Sequence, residues 1–274
     1  DPATDLRVSL RYNDNAFHYP TNGGGTAADS NALDTEDRTV LAVDVGHVFT
    51  PRVNTQLSLT AAGSAGGTDD RPDNPNAGGF ESVDRTRRRG ADLRTNVELA
   101  RATLTLGLQA EQQDQHSESQ SVFGDFSSTD VFRASRHNSA VYGQSLMTLP
   151  ASVVLTVGGR VDDNERFGTF GTYRVGGSWA PFAGTYLRAT VGTAFREPTF
   201  FENFATGYVT GNDSLKPERS GMWEVGIRQS LWDDRLSVGV THFDQRFRNM
   251  IDYTGSTTAC GASWSRSTWC SART

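Results

Sequence analysis

Hydrophobic positions recur every second residue along this chain. Leu6, Val8, Leu10 and Tyr12 alternate with Arg7, Ser9 and Arg11, the pattern of a strand with one apolar and one wet face. Val53, Leu57 and Leu59 oppose Asn54, Gln56 and Ser58 in the same way. Leu93, Val97 and Leu99 oppose Arg94, Asn96 and Glu98, and Leu104, Leu106 and Leu108 oppose Thr105 and Gln109. Further on, Val153, Leu155, Val157 and Val161 oppose Thr156, Arg160 and Asp162, and Trp223, Val225, Ile227 and Leu231 oppose Glu224, Arg228 and Ser230. No 3.6-residue period persists. With weaker alternation near 39–50, 137–149, 171–181, 184–195 and 234–248, the pattern predicts an all-β chain of about eleven antiparallel strands in one layer.

The links between these strands alternate in length. Short ones fall at 50–52, 100–102, 149–151, 180–184 and 232–234. Long ones, rich in Gly, Asn, Asp and Ser, span 14–38, 63–87, 114–136 and 196–220, with a shorter case at 163–170. A soluble sandwich mixes loop lengths at both ends and uses shorter strands. Short turns on one side and long loops on the other are the plan of a bacterial outer-membrane barrel. The polar faces agree: Arg94, Glu98, Arg160, Glu224 and Arg228 fall mid-strand, where a small side-chain-filled barrel would strand them and a wide hydrated lumen would not. Trp179, Tyr186 and Trp223 lie near strand ends, where an interfacial aromatic girdle is expected.

Composition narrows the class further. The 274 residues are 36% hydrophobic and include 28 Gly, thin for an enzyme with a large aliphatic core. No apolar run reaches about 18 residues, which excludes a transmembrane helix and leaves a transmembrane barrel open. A mean hydropathy of −0.50 is therefore compatible with a membrane protein. With 26 basic against 32 acidic residues the net charge is −6, so no nucleic-acid partner is expected, and the Arg85, Arg87, Arg88 and Arg89 cluster reads as a solvated or lumenal face.

Candidate chemistry is sparse. The five His lack His-Glu-x-x-His spacing, and "GQSLM" at 143–147 departs from Gly-x-Ser-x-Gly at its last position. "GGG" at 23–25 and "GGTDD" at 66–70 precede no helix and read as flexible loops. Cys260 and Cys270 have no metal-binding companions. No catalytic residue is assigned, and the chain is not expected to be an enzyme. One loop, "TDDRPDNPN", sets Asp69, Asp70, Asp73 and Asn74 close together; such an oxygen cluster can hold Ca²⁺, with a solvated acidic loop as the alternative. No other cofactor is expected.

Three later stretches carry a family resemblance: "GTAFREPTFFENF", "GNDSLKPERSGMWEVGI" and "LSVGVTHFDQRFRNMIDY". Together they resemble the barrel of TonB-dependent outer-membrane receptors. The matching residues are Gly192, Phe195, Arg196, Pro198 and Thr199, then Gly211, Asn212, Leu215, Lys216, Pro217 and Glu218, then Trp223, Glu224 and Gly226. "SAVYGQSLMTL" and "SVVLTVGGRVDDN" resemble the family's preceding hairpin, so the likeness covers roughly 138–253. Pro198 and Pro217 would end strand pairing, and Lys216 and Glu218 would balance charge at a rim. The motif therefore reads as scaffold.

The resemblance implies a transmembrane barrel of about 22 strands with a plug in its lumen. It also implies a TonB complex engaged through the plug region, outer-membrane lipid around the barrel, and a small-molecule cargo such as an iron chelate or cobalamin. On this reading residues 1–255 are a partial barrel without plug, and 256–274 an irregular tail. The expected location is the outer membrane of a Gram-negative-type bacterium. Alternatives are a passive porin or barrel-borne adhesin, or a secreted all-β binding protein.

Overall fold

The computed structural model describes residues 3–18, 31–73, 78–207, 209–255, 262–267 and 270–273. Nine strands lead: β1 (Thr4–His18), β2 (Leu33–Thr50), β3 (Val53–Asp70), β4 (Gly78–Leu99), β5 (Ala102–Phe123), β6 (Phe126–Leu149), β7 (Val153–Asn164), β8 (Gly168–Phe182) and β9 (Thr185–Arg196). A short helix, α1 (Phe200–Phe204), and β10 (Val209–Thr210) come next. They are followed by β11 (Glu218–Leu231), β12 (Leu236–Arg248), β13 (Met250–Gly255), β14 (Ala262–Ser267) and β15 (Cys270–Arg273). β1 to β9, β11, β12 and β15 form one sheet in that order, and every pair in it is antiparallel. The eleven long strands expected from the alternation are all present. β10, β14 and β13 make a second, small sheet in which β10 runs parallel to β14.

Register turns the period-two pattern into two continuous faces, because directly paired residues share a face. One ladder runs Leu6, Val45, Leu57, Leu93, Leu108, Val141 and Val161 across seven strands. A second runs Leu187, Ile227 and Val240 across β9, β11 and β12. These side chains stay open to the surroundings: Leu6 is 68% exposed and Leu108 57%. In water such an apolar sheet would be an aggregation surface; against hydrocarbon it is the expected outer wall.

The other face is polar and internally bonded. Asn96 joins Asn54 at 3.0 Å and Thr105 at 2.7 Å, and the Tyr142 hydroxyl donates to Asp92 at 2.9 Å. Arg160 grips Asp162 through two nitrogens and reaches Gln109 at 2.6 Å. Arg94, Glu98, Arg160, Glu224 and Arg228 all share this face. Trp179 and Trp223 lie on the apolar face. Tyr186 does not, contrary to expectation: it pairs with Arg228, whose guanidinium sits 5.1 Å from its ring on the polar face.

Two organisational expectations change. The short turns hold, at 51–52, 100–101, 150–152, 183–184 and 232–235. Most of 63–87 and 114–136, however, is strand; β5 and β6 are joined by 124–125 alone, with Gly124 at φ 58. The strands run on past the alternating zone because backbone pairing needs no apolar face, so "GGTDD" ends β3 and is no flexible loop. Likewise the segment 256–274, expected to be irregular, contains β14 and β15, which are held by pairing to β13, β10 and β12. Gly23 to Gly25, Asn74 and Cys260 lie outside the described residues.

Candidate functional site

Buried groups gather where the chain between β9 and β11 folds back onto the polar face of β5 to β8. β6 supplies Asp130, Phe132 and Arg136, which share the face of Tyr142 and lie opposite in sense to Val131 and Val141. Thr199 caps α1: its hydroxyl accepts from Glu202 N–H at 3.1 Å, and the Glu202 carboxylate accepts from Thr199 N–H at 2.6 Å. The "REPTFFENF" stretch is thus a one-turn helix bounded by Pro198. Its Thr-x-x-Glu spacing is the sequence signature of that capping box.

Arg136 is the hub. Its Nε pairs with Glu197 at 3.0 Å, Nη1 donates to the Pro198 carbonyl at 2.9 Å, and Nη2 donates to Gln113 at 2.9 Å. The guanidinium also lies 4.8 Å from the centre of the Phe200 ring. Asn164 donates to the second Glu197 oxygen at 2.7 Å. Burial pushes the Glu197 carboxyl above its ordinary range, while Arg136 and Asn164 pull it back. Every polar atom of the pair therefore has a partner, as a charge taken out of water requires. Asp130 completes the attachment by accepting from both the N–H and the hydroxyl of Thr206 at 2.7 Å.

A second centre lies at the strand mouth. Arg196 donates to Glu218 at 2.6 Å and to both oxygens of Glu202 at 3.0 and 3.3 Å. Glu218 also accepts from the Ile251 N–H at 2.7 Å, which ties in the start of β13. Asn203 donates to the Asn212 carbonyl, and Asn212 N–H donates to the Glu202 carbonyl. The arrangement locks a loop in place. It holds no nucleophile with a base beside it, and Ser145 of "GQSLM" sits on the apolar face between Leu104 and Val157.

A family model described as TonB dependent receptor-like, beta-barrel, matches residues 1–271. The chain belongs to this family. The polar face is accordingly the lumenal face of a TonB-dependent receptor barrel, and the apolar face its outer wall. A curated relative, the vitamin B12 transporter BtuB of Vibrio vulnificus (strain YJ016), is 30% identical over 142 residues, which is 52% of this chain and 21% of that protein. Among solved structures, the copper transporter OprC matches 97% of this chain and 46% of its own, with a TM-score of 0.76 and 15% identity. The ferripyoverdine receptor of the outer membrane of Pseudomonas aeruginosa matches 96% and 43%, with a TM-score of 0.66 and 14% identity. The chain therefore spans less than half the length of these relatives. Members of this family are receptors and transporters of Gram-negative outer membranes, not enzymes.

The receptor motif residues fall into three groups. Arg196 bonds to both Glu202 and Glu218, Thr199 bonds to Glu202, and Asn212 joins them through Asn203. Pro198, Leu215 and Pro217 are buried spacers, and Phe195 stacks on Phe170 at 5.0 Å. Trp223 and Glu224 lie further down β11 on opposite faces, Glu224 being 3.8 Å from Arg188. Lys216 is exposed and bonds to no described residue; Arg196 supplies the charge opposite Glu218 instead, since it projects from a paired strand. Sequence reasoning missed Arg136, Asp130 and Asn164, whose partners lie too far along the chain for any spacing rule to connect.

At the other mouth-side loop, Asp69 pairs with Arg71 at 3.1 Å and Arg71 with Glu81 at 3.3 Å. Among the described residues no group of three or more His, Cys, Asp or Glu is arranged to hold a metal. The calcium reading of Asp69, Asp70 and Asp73 gains no support from this geometry. Of the arginine cluster, Arg88 alone is lumenal, paired with Glu111 at 2.6 Å. Arg85, Arg87 and Arg89 share the face of Leu93 and point outward, because a strand sends alternate residues to opposite sides.

Proposed function

We propose that this chain forms part of the barrel of a receptor that imports a scarce nutrient across the outer membrane with energy passed from the TonB complex. The family match over 1–271 carries the reading. The apolar outer ladder and the bonded polar lumenal wall support it physically, since they suit a hydrated conduit in lipid. The cargo proposed is a metal chelate or a cobalamin-like molecule, and the likeness to a vitamin B12 transporter makes cobalamin the first to test. Ca²⁺ in an outer loop remains a separate proposal, tested by calorimetric titration of the full receptor with the metal. The barrel residues serve by enclosing and guiding, with no covalent step.

The test is uptake by cells carrying the full-length gene, measured with labelled cyanocobalamin and with labelled ferric siderophores, with and without TonB. Uptake of one cargo that stops when TonB is removed is the expected result. Uptake that continues without TonB would identify a passive porin and overturn the reading.

A further inference from the structure

The far halves of β4, β5 and β6 rise beyond the membrane as a fin whose inner face continues the lumenal wall. β5 alone is 22 residues long, and about nine to eleven residues of tilted strand cross a hydrocarbon core. Its far end therefore stands in water. The register is unbroken there, so each inward rung has named members. Asp84, Ser117 and Phe132 share one, and Ser82, Ser119 and Asp130 the next. Phe80, Ser121 and Ser128 follow, and Gly78, Phe123 and Phe126 form the tip. An aromatic tip thus stands over a serine wall.

Three aromatic rings are left open on this face: Phe80, Phe123 and Phe126 are 38%, 59% and 40% exposed. Phe123 is nevertheless held in place. A Cβ built at Gly78 would fall 2.5 Å from its ring, so the ring lies against the Gly78 backbone and only glycine leaves it room. No hydrogen bond to a described residue engages the Ser119, Ser121 or Ser128 hydroxyl. Ser82 and Asp130, by contrast, are taken up by Thr68 N–H and by Thr206. The charge on this face is one-sided. Above the Arg88 rung, β2 to β6 present Asp34, Glu36, Asp70, Asp84 and Asp130 inward against Arg38. Arg71, in the loop after β3, is paired with Asp69 and Glu81.

We infer that Phe80, Phe123 and Phe126, with Ser119, Ser121 and Ser128 below them, make the first contact with cargo, and that this cargo is an uncharged, ring-bearing molecule carrying hydroxyl or amide groups. The site deepens the receptor reading above and rests on it. Aromatic faces stack on flat or apolar ring faces, and unbonded hydroxyls can both donate and accept. Together they suit a ring whose edge is polar. A carboxylate-rich chelate would instead meet carboxylates that outnumber the one cation on this face, a repulsion that works against its capture.

The test uses the full-length receptor in detergent micelles, titrated calorimetrically with cyanocobalamin and maltohexaose as uncharged probes and with ferric citrate as an anionic one. The variants are Phe123→Ala with Phe126→Ala, Phe123→Leu with Phe126→Leu to keep the apolar volume, Ser121→Ala with Ser128→Ala, and Val131→Thr as an outward control at similar height. One uncharged probe should bind wild type more tightly than ferric citrate does. The double alanine variant at the phenylalanines should bind that probe on the order of 10-fold more weakly, and the leucine and serine variants should fall between it and wild type. Val131→Thr should change nothing. Binding of neither uncharged probe, tighter binding of ferric citrate, undiminished affinity in the phenylalanine variants, or an equal loss in Val131→Thr would each overturn the site. TonB-dependent uptake with unaltered affinity in those variants would overturn this site alone, whereas uptake that continues without TonB would overturn the receptor reading itself.

Discussion

Arg136 of β6 and Glu197, the first residue after β9, meet at 3.0 Å with only 9% and 16% of their side chains exposed. This ion pair fastens the loop that carries the family motif to the lumenal wall. Each charge is desolvated, so neither is favourable without the other. Replacing Arg136 by Ala would leave the Glu197 carboxylate buried opposite a void and release the Pro198 carbonyl and Gln113. The expected cost is about 3–5 kcal/mol, read as the shift in denaturant midpoint of the folded receptor in detergent. The double variant Arg136→Met with Glu197→Gln should cost less than Arg136→Ala alone. A loss below about 1 kcal/mol for Arg136→Ala, the range of exposed pairs, would mean that the loop is held elsewhere.

Glu197 also sets a pH dependence. Burial raises its folded-state pKa above the ordinary 4.5, so the folded receptor binds this proton more readily than the unfolded chain does. The associated stability is fully present below the ordinary value and is lost as pH rises through the raised one. Wild type measured against Glu197→Gln should thus lose relative stability on going upward from about pH 4.5. Parallel curves for the two proteins across that window would show that Glu197 does not titrate in the folded loop.

The face assignment predicts an asymmetry on β11. Val225 is 46% exposed on the outer wall between Ala189 and His242, whereas Arg228 lies over Tyr186 on the lumenal wall. Val225→Arg should cost about 2–4 kcal/mol near the bilayer midplane, and Arg228→Ala should cost much less. Folding into lipid vesicles under a urea gradient measures both. Equal losses, or a larger loss for Arg228→Ala, would reverse the two faces.

Orientation is tested through the turns. The short connections at 51–52 and 232–235 should face the periplasm, and the far ends of β3 to β6 the exterior, because the longer extensions of bacterial barrels project outward. In a background with Cys260 and Cys270 replaced by Ser, Asp125→Cys should react with an impermeant maleimide on intact cells. Asp233→Cys should stay unlabelled. The opposite pattern would invert the barrel.

Much of this architecture was legible because lipid on one side and water on the other imposes a period of two. Leu104, Leu106 and Leu108 declare β5 for that reason, and the tight links at 100–101 and 150–152 follow from the strands they join. The upper halves were not legible. From Gln112 to Ser121 every residue is polar on both faces, so alternation disappears although the ladder to β6 continues to Phe123 and Phe126. The site divides similarly. Arg196, Thr199 and Glu218 could be marked from a local motif, whereas Arg136 and Asp130 are made important by residues 62 and 76 positions away. Only the register of the sheet brings those partners together.

The register also sets what this 274-residue chain does when made alone. The main sheet runs in order from β1 to β15, and those two strands do not pair with each other. β1 is bonded to β2 on one side only, along Thr4 to His18, while Leu6, Val8 and Leu10 remain 61–68% exposed. At the other edge β12 meets β15 over Asp244 to Phe247, and Leu236 to Phe243 have a partner only in β11. Two such edges in hydrocarbon would leave backbone N–H and C=O groups unsatisfied at several kcal/mol for each group, a cost that the loop network around Arg136 cannot offset. Closing eleven long antiparallel strands on themselves would make β1 and β12 parallel neighbours, unlike every other pair in the sheet. The expected behaviour of the isolated chain is aggregation through these edges. Refolding it into detergent and following migration with and without heating decides the matter. A heat-modifiable, protease-resistant monomer formed by the chain alone would show that its edges close after all.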